Sequence, residues 1–224
     1  MSRRAAEQEI MRGLVKVNGE VADLGSRIVP GKDTVEYRGR RVEMQNLART
    51  YILLNKPRGF VTTMSDEKGR HTVAELVADV GRRVYPVGRL DMDSDGLLLL
   101  TDDGELANKL THPRHEIPKI YHVTVKGSVS EQKLKALGMP MTLDGYEILP
   151  VDVVPISTDG TSTTLQMTLY EGRNRQIRKM CELCELSITR LCRVAIGNIA
   201  LGDVKAGTWR HLTKDEINYL KNGK

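Results

Sequence analysis

The sequence predicts an α+β protein whose sheet is largely antiparallel. Strand patterns outnumber helix patterns, and several neighbouring strands are joined by links of hairpin length. Apolar residues alternate with polar ones at 121–125 and again at 165–169, as in half-buried strands. No internal repeat and no low-complexity tract interrupts these patterns. Together they favour a sheet with few helices over a bundle or a parallel α/β fold.

The first forty residues are predicted to form a small α+β module. Residues 2–13 are rich in Ala, Glu and Arg and stop at Gly13, which favours a short helix with a glycine C-cap. Residues 15–21 are typical of a β-hairpin, because Asn18 and Gly19 suit the two left-handed positions of its turn. A turn at 30–33 and a strand at 34–37 complete the module, and a polar connector at about 43–50 leads out of it.

From residue 51 onward, strands alternate with helices. Residues 51–54 form an apolar strand, and the run 97–100 forms another. Helix starts are indicated by capping boxes, in which a Ser, Thr or Asp is followed three residues later by Glu. Three pairs fit this pattern: Thr72 with Glu75, Asp102 with Glu105, and Thr213 with Glu216. The first two helices are expected to extend to about Val80 and Leu110.

Charge and cysteine content favour a cytoplasmic protein with a polyanionic partner. The chain has 34 Lys and Arg against 29 Asp and Glu, a formal charge of +5. No apolar run approaches the ~20 residues that span a bilayer, and residues 1–7 lack the apolar core of a signal peptide. Cys181 and Cys184 are predicted to be buried thiols, because Cys192 and His211 complete no recognised zinc spacing. Residues 112–115 are interpreted as a surface turn.

The loop 88–96 concentrates three carboxylates, an arginine and two glycines directly before the buried run 97–100. A calcium loop is one interpretation, because the spacing matches the start of an EF-hand at Asp91, Asp93, Asp95 and Gly96. The later ligand positions hold Leu99 and Asp102 instead of an oxygen donor and a glutamate, and a strand follows where a helix is required. The remaining interpretations are a catalytic carboxylate at the mouth of the core and a solvated acidic turn.

A second charged segment follows the strand that ends at Tyr170. Beyond Gly172 the pattern predicts a helix, and four of seven residues in its opening turns are basic: Arg173, Arg175, Arg178 and Lys179. The helix dipole already makes that end positive, so an anion is expected there. The anion is either a bound phosphate or a carboxylate of the same protein, and a solvated basic face is the remaining alternative.

A pairing of Arg178 with Asp91 would join the two charged segments. The arginine would keep the carboxylate ionised and fix its rotamer, as a nucleophile requires. The other basic residues of the segment would then be available to the backbone of a nucleic acid. Aromatic residues are 4% of the chain, which leaves Tyr121 as the candidate for stacking on an extracted base.

These segments together resemble the RsuA/RluB-type RNA pseudouridine synthases. The similarity runs in order over residues 51–220 and rests on these motifs: 85–91 with Ser94, 96–101, 103–106, Lys119 with Tyr121, 171–180, 191–194 and 196–197. Residues 2–33 resemble the S-four-type RNA-binding domain, although that domain normally has one more short helix before the helix of 2–13. The resemblance therefore implies an RNA-binding module at 1–44 and a pseudouridine synthase catalytic domain at 50–224.

The resemblance implies that a uridine in RNA is isomerised to pseudouridine without a cofactor or a metal. Asp91 is carried over as the catalytic carboxylate, acting through either a covalent adduct or a glycal. Substrate binding is assigned to six residues: Arg89, Lys119, Tyr121, Arg173, Asn174 and Arg178. General RNA binding is assigned to six more: Arg3, Arg4, Lys16, Asn18, Arg175 and Lys179.

The expected partner is ribosomal RNA, free or in a pre-ribosomal particle, with the large-subunit RNA preferred over the small. The protein is expected to be a monomer with no membrane association. Two alternatives remain at this point. A non-catalytic RNA-binding or ribosome-assembly protein would not need Asp91, and a nucleoside hydrolase would release free uracil.

Overall fold

The computed structural model describes residues 3–29, 31–43, 48–111 and 117–223. The chain divides into two compact units, Met1–Ala48 and Arg49–Lys224. Pro30 of the predicted first-unit turn and the predicted surface turn at 112–115 lie outside the described residues. Within the described ranges, no helix is both long enough and apolar enough to cross a membrane.

The first unit is a small α+β module, as predicted. It contains helix α1 and strands β1 to β4, with the bounds Arg3–Met11, Val15–Val17, Glu20–Val21, Val35–Tyr37 and Arg40–Arg41. The antiparallel order is β2-β1-β3-β4. Gly13 has a φ of +70° and ends α1, and the turn between β1 and β2 has φ values of +52° at Asn18 and +89° at Gly19. The predicted helix end and hairpin are therefore confirmed.

A carboxylate fastens α1 to the sheet of this unit. Glu9 is buried and accepts hydrogen bonds from the Tyr37 hydroxyl at 2.6 Å and from Arg38 Nη2 at 2.8 Å. These two hydrogen bonds, in that order, lower the pKa of Glu9 to about 2. The hairpin that carries Arg38 was not predicted, because its turn residues, Arg38 and Gly39, lack the Asn-Gly signal.

The second unit is built on one mixed sheet, which confirms the predicted fold class. Its strands β5 to β8 and β11 to β15 span Tyr51–Lys56, Tyr85–Val87, Asp95–Thr101, Lys119–Lys126, Asp152–Thr158, Ser162–Leu169, Ile188–Ile196, Ile199–Ala200 and Trp209–His211. The main order is β11-β12-β8-β13-β7-β5-β15, while β14 pairs with β13 and β6 with β7. Each of these pairs is antiparallel except β13 with β7, which is parallel.

Helices and one hairpin cover this sheet. Helices α2 to α6 span Val73–Leu76, Gly104–Thr111, Glu131–Gly138, Gln176–Leu183 and Lys214–Asn222, and a 3₁₀ turn at Ala78–Val80 follows α2. Strands β9 and β10, Thr142–Leu143 and Tyr146–Glu147, form a separate two-stranded hairpin. The run 97–100 is buried on both faces: Leu97 and Leu99 pack in one core cluster, and Leu98 and Leu100 in another.

Two predicted helix starts are wrong. The helix assigned to the Asp102 box begins at Gly104, because Asp103 Oδ1 accepts from Leu106 N at 3.1 Å, while Asp102 Oδ1 accepts from Thr50 N at 2.7 Å. The helix expected from Gly172 begins at Gln176, since Arg175 has a φ of +50° that an α-helix cannot include. The capping boxes that begin at Thr72 and Thr213 are confirmed.

Gly96 allows β7 and β13 to lie very close together. Its φ is +106°, and a Cβ placed there would lie 2.3 Å from Arg193 O and 2.9 Å from Cys192 Sγ. A side chain at this position would therefore meet the backbone of the neighbouring strand, which cannot move aside as a flexible side chain would. The parallel pair at the centre of the sheet depends on the absence of that Cβ.

We predict that Gly96→Ala destabilises the second unit by about 2 kcal/mol or more, because both the positive φ and the clash with β13 oppose it. The free energy of unfolding from chemical denaturation measures the change. Gly104→Ala is the matched control, since Gly104 has no unusual φ and nothing lies within 4 Å of its added Cβ. Equal stability of the two variants would contradict the prediction.

Candidate active site

An open cleft of the second unit brings the two charged segments together. The cleft is open to solvent, and the space within it, including solvent at its mouth, is about 470 Å³. The walls come from the loop before β7, from β8 and from the turn before α5. Six of the residues selected from the sequence line it: Arg89, Asp91, Tyr121, Arg173, Arg175 and Arg178.

Asp91 contacts two arginines from the second charged segment. Arg175 Nη1 donates to Asp91 Oδ2 at 3.2 Å, and Arg178 Nε lies 3.9 Å from the same oxygen. The Asp91 side chain remains 38% exposed, so its carboxylate is accessible to a ligand in the cleft. The predicted meeting of Arg178 and Asp91 is therefore confirmed, but Arg175, assigned to general RNA binding, is the closer partner.

Arg178 is held mainly by the rest of the acidic loop. Its Nη2 lies 3.0 Å from Asp93 Oδ1 and 3.0 Å from Ser94 Oγ. These contacts join α5 to the loop before β7 across 84 residues of sequence. A guanidinium fixed at several points orients a carboxylate better than a mobile one, because fewer rotamers must be ordered when a ligand binds.

Lys56, a buried lysine that was not predicted as a site residue, holds the backbone of the loop that carries Asp91. Lys56 is fully buried at the end of β5, and its Nζ donates to Pro57 O at 3.0 Å, Asp91 O at 3.0 Å and Ser94 O at 2.8 Å. All three ammonium hydrogens are thus used. Burial lowers the pKa of Lys56 to about 8, against the opposing effect of the nearby carboxylates. The ammonium therefore remains mostly protonated at neutral pH.

Asp93 and Asp95 are engaged by arginines. Asp95 Oδ2 lies 2.7 Å from Arg190 Nη2, and Asp93 contacts Arg175 as well as Arg178. Within the described part of the chain, no group of three or more His, Cys, Asp or Glu side chains is arranged to hold a metal ion. Both carboxylates therefore shape the loop through ion pairs.

Tyr121 lies in β8, half-buried, with its side chain at the cleft. Arg193 Nη1 is 3.5 Å from its hydroxyl oxygen. Arg193 was not selected from the sequence, because nothing in the local pattern of β13 shows that this arginine is buried. The ring of Tyr121 and the carboxylate of Asp91 line the same cleft, as stacking of a base beside the carboxylate requires.

Other selected residues lie at the rim of the cleft or away from it. Arg173 Nε lies 3.0 Å from Glu171 Oε2, and its guanidinium covers the ring of Tyr146 at 4.7 Å. Asn174 is exposed in the turn before α5, and Lys179 forms an ion pair with Asp144. Lys119 does not line the cleft: its Nζ donates to Ile117 O at 2.9 Å.

The selected residues of the first unit have different environments. Arg4 and Lys16 are exposed, while the Asn18 amide is used within the module, donating to Asp33 Oδ1 and accepting from Thr34 N, both at 2.9 Å. Arg3 begins α1, and its side chain lies outside the described part of the structure. The RNA contacts of these residues stay predictions.

Comparison with known proteins finds described families for both units. A family model described as RNA pseudouridylate synthase matches residues 50–183, and an S4 domain model matches residues 2–35. The chain is 41% identical to an uncharacterized RNA pseudouridine synthase of Aquifex aeolicus, over 98% of this chain and 88% of that protein. It is 40% identical to the ribosomal large subunit pseudouridine synthase B of Bacillus subtilis, over 98% and 90%.

A solved structure supports the same assignment. A crystal structure of a pseudouridylate synthase superimposes with a TM-score of 0.70 and 29% identity, covering 98% of this chain and 94% of that one. The family model for RNA pseudouridylate synthase lies within the unit that contains the Asp91 cleft, and the relatives and the solved structure cover that unit as well. The chain therefore belongs to the RNA pseudouridylate synthase family and is an RNA pseudouridine synthase preceded by an S4 RNA-binding domain.

Proposed function

We propose that this enzyme isomerises a specific uridine of ribosomal RNA, in the large subunit, with Asp91 as the catalytic carboxylate. The observation that carries the proposal is the position of Asp91, accessible in the cleft, held by Arg175 and facing the same space as Tyr121. The relative of Bacillus subtilis and one of Vibrio vulnificus, at 37% identity, are both named for the large ribosomal subunit.

The chemistry needs a carboxylate near the sugar and a surface against the base. The uridine is flipped out of its RNA and its base stacks on Tyr121. Asp91 then attacks the sugar or removes one of its protons, and the bond between N1 and C1′ breaks. The uracil turns within the cleft and is rejoined through C5. The reaction leaves the oxidation state unchanged and adds no group, so the proposal includes no cofactor and no metal.

Positive charge at the cleft suits the RNA backbone. Arg89 is exposed at the cleft, where it is available to a phosphate, and Arg173, paired with Glu171, adds positive charge at the rim. We place an RNA-binding module in residues 1–44 and the catalytic domain in residues 50–224. The proposal also includes cytoplasmic action by a monomer on ribosomal RNA or on a pre-ribosomal particle.

Asp91→Asn is expected to lower pseudouridine formation at least about 10³-fold, because the amide cannot act as nucleophile or base. RNA affinity should remain within about threefold, since the backbone contacts are unchanged. Mass spectrometry of the RNA measures pseudouridine, and the same samples are assayed for free uracil. Asp93→Asn is the control, with a loss of about tenfold or less because Asp93 acts only through its ion pairs with Arg175 and Arg178.

Activity retained by Asp91→Asn would remove Asp91 from the chemistry. Free uracil released by the wild-type protein in place of pseudouridine would indicate hydrolysis instead of isomerisation.

Lys56→Met is expected to lower kcat about 10²-fold, because the loop that carries Asp91 loses the two hydrogen bonds that Lys56 donates to it, at Asp91 O and Ser94 O, and the carboxylate shifts. The KM for RNA should change little. Steady-state kinetics on an RNA fragment measure both. Lys126→Met is the control, and this variant should keep full activity. Lys126 is exposed and is the last residue of β8, at the end of that strand away from Tyr121. Equal activity of the two variants would show that Asp91 does not depend on the lysine.

Disruption of the gene is expected to remove one pseudouridine from the large-subunit ribosomal RNA. Mapping of carbon-linked uridines in total RNA, with and without the gene, measures this directly. Restoration by the wild-type gene and not by Asp91→Asn is the control. A change confined to small-subunit RNA or to tRNA would contradict the proposed substrate.

A further inference from the structure

A buried arginine behind the cleft has no carboxylate partner. Arg193, in the middle of β13, is 4% exposed. Its Nε donates to Leu97 O at 2.7 Å, and its Nη1 lies 3.5 Å from the hydroxyl oxygen of Tyr121. Its Nη2 is buried without a hydrogen-bond acceptor among the residues that the structure describes. A guanidinium in this setting is an exception, because buried charges are normally paired.

The charge of Arg193 is not neutralised by its surroundings. Within the described part of the chain, no carboxylate oxygen lies within 4.0 Å of it, whereas the arginines around Asp91 and Asp95 each have such a partner. Burial, and then the charge of Arg193, lower the pKa of Lys119. A positive field therefore persists here, and it acts at short range with little screening by solvent.

The sheet places this charge against Tyr121. Arg193 lies opposite Tyr121 in the register of β13 with β8 and opposite Gly96 in the register of β13 with β7. Gly96 is the residue whose missing Cβ lets the two strands approach. Removing one partner from a buried charge is destabilising by several kcal/mol in general. If Arg193 served only to stabilise the fold, an apolar side chain at this position would do so better than an unpaired guanidinium. The guanidinium therefore indicates a role beyond folding.

The role considered for Arg193 is in proton transfer during the isomerisation, and it rests on the proposed function. When the bond between N1 and C1′ breaks, its electron pair stays on the uracil, and C5 then bonds to C1′. C5 becomes tetrahedral and must lose its proton, while N1 must gain one, so the isomerisation is neutral in protons. The departing C5 proton leaves perpendicular to the base, and Tyr121 is the residue proposed to lie against the face of that base.

We propose that Arg193 is a positioning residue of the isomerisation, which fixes the Tyr121 hydroxyl and stabilises negative charge on its oxygen. The hydroxyl gives its proton to N1, and the resulting phenolate accepts the proton from C5, which restores the phenol. A guanidinium donates a charge-assisted hydrogen bond to an oxyanion more strongly than to a neutral hydroxyl. The contact of 3.5 Å is expected to shorten when that charge develops, as catalytic hydrogen bonds do on substrate binding.

A double-mutant cycle between Arg193 and Tyr121 tests this inference. Arg193→Met removes the charge while keeping an unbranched apolar side chain, Arg193→Lys keeps the charge, and Tyr121→Phe removes the hydroxyl. The substrate is an RNA fragment with hydrogen or deuterium at C5 of the target uridine. The readouts are kcat, KM and the isotope effect on kcat, with thermal unfolding as a control for folding.

We expect Arg193→Met to lower kcat about 10²-fold, with KM changed less than about threefold and a larger isotope effect than in wild type. Arg193→Lys should recover at least about tenfold of that loss. In the Tyr121→Phe background, Arg193→Met should cause no further loss beyond about twofold, because both changes interrupt the same transfer.

An equal loss in both backgrounds, an unchanged isotope effect, or a rise in KM alone would overturn the proposal. Unfolding of both Arg193 variants, with Tyr121→Phe folded, would assign Arg193 to the framework and overturn it as well. A wild-type protein that forms no pseudouridine would overturn the proposed function together with this inference. An active wild type with unaffected Arg193 variants would overturn this inference alone.

Discussion

The ammonium group of Lys56 is the constraint on which the candidate active site depends. It lies at the end of a strand buried on both faces and binds the carbonyl oxygens of Pro57, Asp91 and Ser94. Two of these bonds, to Asp91 O and Ser94 O, connect the end of β5 to the loop before β7, so the backbone of that loop cannot move without breaking them. The carboxylate of Asp91 is therefore presented by the core of the sheet, although it belongs to a loop.

This constraint explains how so many charges coexist near one cleft. Lys56 fixes the backbone of the acidic loop. The side chains of Asp91 and Asp93 in that loop contact Arg175 and Arg178 at the start of α5. Each arginine is thereby held in place before RNA arrives. Such preorganisation favours catalysis, since the ordering of these side chains precedes substrate binding. Arg89, exposed at the cleft, remains for the polyanion itself.

Local sequence patterns predicted most of the fold but only part of the site. Alternation and capping boxes depend on neighbours within a few residues, so the strands at 121–125 and 165–169 and the helix after Thr213 were predicted correctly. The start of α5 was wrong because Gln176, whose side-chain oxygen accepts from Arg173 N at 3.1 Å, completes a turn that the helix pattern does not show.

The long-range features were not accessible from the sequence. Lys56 and Arg193 are ordinary basic residues in their local context, and only the assembled sheet shows that both are buried. Likewise, 84 residues separate Arg175 from Asp91, so no spacing rule could rank it above Arg178 as the closer partner. Asp91 itself was found because a dense cluster of charge before a buried strand is visible locally and because the family resemblance named it.

A crystal structure of the Asp91→Asn variant with an RNA fragment containing the target uridine tests the role of the Asp91 cleft. We expect an extracted uridine in the cleft, with its base against Tyr121 and its C1′ nearest to the side chain of residue 91. A uridine that stays stacked within the RNA, or that binds away from this cleft, would contradict it.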